Sequence, residues 1–166
     1  MLDLFQPINT FVFDIDGVLT DGSLLLGEEG RILRTMNIKD SYALQLAVKK
    51  GYNVWIISGG KCDAARARLN KLGIEEVHLG VDNKKEFLLG MAAALNVSFD
   101  RILCMGDDIP DYAVMKLCAL PCSPSDAVPE IRQISKYISP LGGGRGCVRD
   151  VIEKVLKLNG HWELPV

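Results

Sequence analysis

The sequence predicts an α/β domain, a parallel sheet covered by helices on both faces in three layers. Three observations carry that prediction. Short apolar runs of strand length alternate with longer stretches at helical spacing along the whole chain. The apolar runs are continuous, as in strands buried on both faces. Polar clusters follow them, at the carboxyl ends where open α/β sheets bind ligands. At 166 residues the chain fits one domain, 1–166, large enough for its own core.

The first strand is the run Phe11, Val12, Phe13, which gives way to Asp14, Asp16 and Gly17. Side chains two apart on extended chain point the same way, so both carboxylates can face one site. Next, SLLL and RILRTMNI flank the acidic turn Gly27 to Gly30 and read as a β-hairpin. Placed straight after the first strand, this hairpin cannot join the parallel sheet by a crossover, so it projects. Leu24, Leu25, Leu26, Ile32 and Leu33 then need cover, either from another subunit or by folding back on their own domain.

Asp40-Ser41 is expected to cap a helix that runs to Lys50 and stops at Gly51. A second strand, Asn53 to Ile57, ends in Ser58-Gly59-Gly60, and a helix from Cys62 to Leu72 is stopped by Gly73. A short third strand around Val77 to Leu79 precedes a helix from Asn83 to Leu95 that opens with Lys84. Arg101 to Met105 is the fourth strand and runs into GDDIPD, followed by a helix to Leu117 and a fifth strand, Cys118 to Pro121. Beyond Ser123 the chain reads as a short proline-containing helix, a brief strand near Tyr137-Ile138, a loop from Gly142 to Gly146 and a last helix, Cys147 to Leu158. The tail NGHWELPV is expected to be mobile, with His161 a candidate to reach a neighbour's site; His78, within a strand, reads as structural.

Composition narrows the functional class. Hydrophobic residues make up 48% and charged residues 24%, as in ordinary globular proteins. A net charge of −2 gives no basic footprint, which argues against nucleic acid as a partner. The N-terminus has no signal-peptide pattern and no run is long enough to span a membrane. Five scattered cysteines without metal spacing read as reduced thiols, and the expected location is cytoplasmic.

The polar clusters define a chemistry. Asp14, Asp16, Ser58, Lys84, Asp107, Asp108 and Asp111 all fall on the rim formed by the strands' carboxyl ends. Carboxylates gathered there repel one another unless a cation sits among them, and all-oxygen ligation suits Mg²⁺. A hydroxyl at a glycine-flanked helix start and a lysine are groups that hold phosphate. One carboxylate can attack phosphorus, and a second can protonate the leaving oxygen and then activate water. The residues therefore point to Mg²⁺-dependent phosphoryl transfer. Asp111 is open between membership of this cluster and capping of the helix that follows it.

DIDGVLTDG, IISGG, Lys84 and GDDIPD, in this order and spacing, resemble the four motifs of haloacid dehalogenase-type phosphatases. The resemblance implies their Rossmann-like fold, with Asp14 as nucleophile, Asp16 as general acid and base, and Ser58 and Lys84 on the phosphoryl group. It also implies a Mg²⁺ held by Asp14, the Asp16 carbonyl, Asp107 and Asp108. Neither insertion point, before Asn53 or after Lys84, has room for a cap domain. The chain is most similar to the capless, tetrameric sugar-acid phosphatases, on the further strength of MNIKDSYAL, LGVDNK and LGGGRG. That resemblance implies a homotetramer formed through the hairpin, a small sugar-acid phosphate as substrate, and a place in lipopolysaccharide precursor synthesis. It also implies substrate contacts from Arg145 and Arg68, though Arg68 equally suits a solvated helix face. Two positions depart from the family's pattern: Ser41 stands where a glycine is usual, and Gly60 where nine-carbon sugar-acid phosphatases carry glutamate. Gly60 favours an eight-carbon substrate, with a nine-carbon sialic-acid-like 9-phosphate as the alternative; a non-catalytic scaffold of sugar-nucleotide synthesis is the lesser alternative, since Asp14, Asp16, Ser58, Lys84, Asp107 and Asp108 are all present.

Overall fold

Strand β1 (Thr10–Phe13) lies at the middle of a six-stranded sheet in the computed structural model, which describes residues 1–166. On one side it pairs with β4 (Asn53–Ile57), which pairs with β5 (Glu76–His78). On the other side follow β6 (Ile102–Met105), β7 (Leu120–Ser123) and β8 (Tyr137–Ile138). Every pairing is parallel, and the direction of winding reverses at β1. That reversal opens a crevice beyond its carboxyl end.

The alternation of side chains along the strands builds two cores. Phe11 and Phe13 of β1, Val54 and Ile56 of β4, and Leu103 and Met105 of β6 face one layer. Against them pack α1 (Ile38–Lys49), α2 (Asp63–Lys71) and α6 (Cys147–Leu158). Val12, Trp55, Ile57, Ile102 and Cys104 face the other way. There they meet Leu88 of α3 (Lys84–Ala94), Val114 and Met115 of α4 (Tyr112–Met115), and Ile131 of α5 (Pro129–Ile134). The three layers expected from the sequence are present. The links from Leu33 to β4 and from β5 to β6 are each built around a single helix, with no cap domain.

The hairpin is formed by β2 (Leu25–Leu26) and β3 (Ile32–Leu33), which pair antiparallel and stand apart from the main sheet. Leu24, Leu25, Leu26, Ile32 and Leu33 are all exposed, so the hairpin does not fold back over its own domain. No helix is long and apolar enough to cross a membrane, and all five cysteines are free.

Several boundaries differ from the expectation. Helix α1 begins at Ile38, capped by Asn37, whose side chain accepts hydrogen bonds from the Lys39 and Asp40 N–H groups. Asp40 is inside the helix and buried, and accepts a hydrogen bond from the Arg149 N–H at 2.9 Å, tying α1 to the first turn of α6. Ser41 is therefore helical, and its hydroxyl donates to the Asn37 carbonyl at 3.3 Å. Nothing in that geometry calls for glycine. The expected helix up to Leu117 shortens to the tight turn Ile109–Asp111 and one turn of α4. Strand β7 lies two residues later than expected, with Pro121 inside it.

The tail is docked. The His161 ring nitrogen Nδ1 is 2.8 Å from the Tyr52 hydroxyl, and the Arg149 guanidinium lies 5.1 Å over the Trp162 ring. His161 shares a cavity with Gln6, Asn9 and Tyr52, at the amino-terminal ends of β1 and β4. That is the pole opposite the crevice. His78 is structural as expected, 2.8 Å from Glu76 and with its ring tilted against Phe87 at 4.8 Å between centroids.

Candidate active site

Beyond the carboxyl ends of β1, β4 and β6, one cavity of about 420 Å³ is lined by Asp14, Asp16, Ser58, Lys84, Asp107, Asp108 and Asp111. All seven residues singled out on the predicted rim therefore meet in one place. Arg68 and Arg145 do not line it. Arg68 borders a groove at the hairpin base with Ile32, Leu33 and Met36. Arg145 is 72% exposed, and its guanidinium comes to 3.9 Å from Asp21.

The side chains are fixed one by one. Asp14 accepts a hydrogen bond from the Ile15 N–H at 2.7 Å with one oxygen and lies 3.0 Å from Lys84 Nζ with the other. Lys84 opens α3, whose cap Asn83 accepts from the Glu86 N–H at 3.1 Å. The Lys84 side chain is buried and also donates to Asp111 at 2.6 Å. Asp111 settles into neither of its two sequence readings alone. Its second oxygen accepts from the Asp107 and Asp108 N–H groups at 3.0 and 3.4 Å, holding the turn that carries both acids. Asp108 points its carboxylate at the Ile109 N–H, 2.8 Å away, and caps the turn.

Close packing of backbone makes this possible. Asp107 lies directly over Gly17, where a Cβ would fall 1.8 Å from Asp107 Oδ2. Gly17 also has φ +85°, a conformation open to glycine. The loop bearing Arg145 packs onto the same turn, since a Cβ on Gly143 would fall 2.0 Å from the Gly17 carbonyl oxygen.

The acids crowd one another. Asp14, Asp107 and Asp111 each bring an oxygen within 4.8 Å of the others. Burial, then Asp111, pushes the Asp14 pKa up to about 6 despite the opposing pull of Lys84. Asp107 is pushed up to about 7 by burial, then by Asp111, Asp14 and Asp108. An all-oxygen set under such mutual repulsion fits a hard divalent cation. The cluster enlists Asp111 beside the expected Asp14 and Asp107, while the carboxylates of Asp16 and Asp108 are turned to other partners.

Asp16 has a partner that sequence reasoning missed. The Arg34 guanidinium donates through Nε to Asp16 Oδ1 at 2.7 Å and through Nη2 to Oδ2 at 3.2 Å. The signal was topological: a hairpin that leaves the end of the first strand must return there, bringing residues just after it back beside Asp16.

No protein-family model matches the chain. The 3-deoxy-D-manno-octulosonate 8-phosphate phosphatase KdsC of Escherichia coli K12 is 31% identical over 155 residues, 93% of this chain and 82% of that protein. The chain belongs to the haloacid dehalogenase-like 3-deoxy-D-manno-octulosonate 8-phosphate phosphatase family. Solved structures agree with the assignment. The family's phosphatase from Yersinia pestis superposes with a TM-score of 0.93 at 28% identity, covering 96% of this chain and 86% of that one. That from Moraxella catarrhalis, solved with magnesium ion, phosphate ion and a KDO molecule, superposes at 0.91 and 29% identity, covering 95% and 90%. The octulosonate phosphatase family thus shares the parallel sheet and the capless form described above.

Proposed function

We propose that this chain is a Mg²⁺-dependent phosphatase that hydrolyses 3-deoxy-D-manno-octulosonate 8-phosphate to the free sugar acid and phosphate, a cytoplasmic step of lipopolysaccharide precursor synthesis. The observation that carries this reading is the meeting of Asp14, Lys84, Asp107 and Asp111 at the sheet's switch point, in one cavity with Asp16 and Ser58. Membership of the octulosonate phosphatase family supports the substrate.

Asp14 is the nucleophile: its carboxylate bonds to phosphorus as the bond to the sugar oxygen breaks, forming an aspartyl phosphate. Asp16 gives its proton to that oxygen, then takes one from the water that releases phosphate and restores Asp14. Ser58 and Lys84 hold the non-bridging oxygens. Asp14, Asp107, the Asp16 carbonyl and Asp111 or Asp108 would hold a Mg²⁺, which would supply charge neutralisation and Lewis acidity. Arg68 and Arg145 contact the sugar acid, and both do so within a homotetramer assembled through the exposed hairpin. Their positions beside the hairpin base and the Asp21 turn support that role.

The test is phosphate release with Mg²⁺, comparing the octulosonate 8-phosphate with a nine-carbon sugar-acid 9-phosphate. Higher kcat/KM for the former, abolished in Asp14→Asn with the fold intact, is the expected result. Preference for the nine-carbon compound keeps the chemistry and changes the substrate. No release from either by folded, Mg²⁺-supplied protein removes the reading.

A further inference from the structure

Arg34 belongs to none of the motifs, yet it makes the most specific contact with Asp16. Its two bonds form a bidentate fork, and its side chain is 11% exposed against 35% for Asp16. A fork of this kind fixes the plane of the carboxylate, and each oxygen keeps a further lone-pair direction for another partner. The shorter bond is to Oδ1, so Oδ2 is the less tightly held oxygen.

Beside Oδ2 lies Gly60. A Cβ there would fall 3.1 Å from Asp16 Oδ2, 3.4 Å from Arg34 Nη2 and 3.8 Å from Ser58 Oγ. Gly60 is not among the residues with positive φ, so its backbone admits a side chain. Space, not conformation, is what glycine provides here. That space lies between the acid, its arginine and the hydroxyl on the phosphate side of the cavity.

We infer that Arg34 is a positioning residue for proton transfer at Asp16, with the space beside Gly60 leaving Asp16 Oδ2 accessible. The inference rests on the phosphatase reading. When Asp14 bonds to phosphorus and the bond to the leaving oxygen breaks, the Asp16 proton passes to that oxygen and Asp16 becomes a carboxylate. Arg34 holds that carboxylate in plane and stabilises its charge. Water then bonds to phosphorus, its proton returns to Asp16, and the bond from phosphorus to Asp14 breaks.

An alkoxide leaving group needs that proton, whereas p-nitrophenolate leaves without it. The experiment is single-turnover phosphoenzyme formation with Mg²⁺, using the sugar-acid phosphate and p-nitrophenyl phosphate. Arg34→Met is expected to slow the sugar-acid reaction about 100-fold, with half-saturation unchanged. The p-nitrophenyl phosphate rate should fall no more than about fivefold, since general acid help is small there. Arg34→Lys, which returns one donor, should recover part of the loss. Equal slowing of both substrates makes Arg34 merely structural and overturns the inference. A raised half-saturation with the maximal rate intact makes it a substrate-binding residue and overturns it too, as does no change at all. Wild-type protein that turns over neither substrate overturns the phosphatase reading itself, a different result from these.

Discussion

Lys84 Nζ lies 2.6 Å from Asp111 Oδ1 and 3.0 Å from Asp14 Oδ2, joining the start of α3 to both acid-bearing turns. Burial works against the lysine's charge, but Asp111 and Asp14 outweigh it and the Lys84 pKa is raised. Removing the amine leaves two buried acids facing each other. Lys84→Met should therefore cost about 3–5 kcal/mol in metal-free protein at neutral pH, measured by urea unfolding. The loss should shrink at pH 5, because Asp14, with its pKa near 6, then carries a proton.

Asp111→Ala tests the other end of the same pair. It frees Lys84 and releases the N–H groups of Asp107 and Asp108, so the turn carrying Asp107 relaxes. Misplacement of a reacting or ligating group by about 1 Å costs on the order of 100-fold in rate, and that is the fall expected in phosphate release. Asp111→Asn keeps an acceptor for the turn and should lose much less.

The sheet and the rim were legible because each rests on local pattern. Continuous apolar runs mark the strands, and Asp14, Ser58 and Asp107 stand where those runs end. Features set by tertiary contact were not legible. Asp111 takes its meaning from Lys84, distant in sequence, and Arg34 from the return of the hairpin. Asp40 reads as a cap because its burial against α6 leaves no local trace, while Asn37 does the capping. Pro121 suggests a strand end. Its carbonyl instead accepts from the Lys136 N–H, so its missing N–H faces the side where short β8 has not yet begun and no ladder bond is lost.

Mg²⁺ binding should strengthen with pH through the range in which its ligands lose protons. Asp14 titrates near 6 and Asp107 near 7 in metal-free protein, both raised above 3.8. With raised values, the stability these groups contribute is full below pH 3.8 and is lost as pH rises through 6 and 7. Mg²⁺ binds the deprotonated acids and offsets that loss. Its addition should raise the unfolding temperature more at pH 8 than at pH 5.5, and in Asp107→Asn the difference should largely vanish.

Asp40 makes the same argument far from the metal ligands. Burial raises its pKa to about 6 despite the Arg149 and Gly146 N–H groups, and its Oδ2 has no hydrogen-bond partner. Its contribution to stability is present below 3.8 and lost as pH rises through about 6. At a tenfold change per unit, that loss is at most about 3 kcal/mol. Asp40→Asn carries no charge to bury, so its stability should decline less between pH 4 and pH 7 than that of wild type. Parallel unfolding curves for the two proteins across that range would remove the explanation.

The hairpin offers the cleanest separation of assembly from folding. Leu25 and Leu33 are cross-strand partners, 66% and 51% exposed, so neither contributes to the core of the single chain. Charged residues in their place cost little within one subunit but put unpaired charge into any contact that covers the ribbon. Wild-type protein should run at four times the 18.2 kDa chain mass in light scattering, and Leu25→Asp/Leu33→Asp at the mass of one chain with an unchanged circular dichroism spectrum. Phosphate release should fall together with the mass, because the groove bearing Arg68 lies at the base of the same hairpin. A double variant that still assembles would move the interface to another face, and one that is monomeric with full activity would free Arg68 and Arg145 from any dependence on a neighbour.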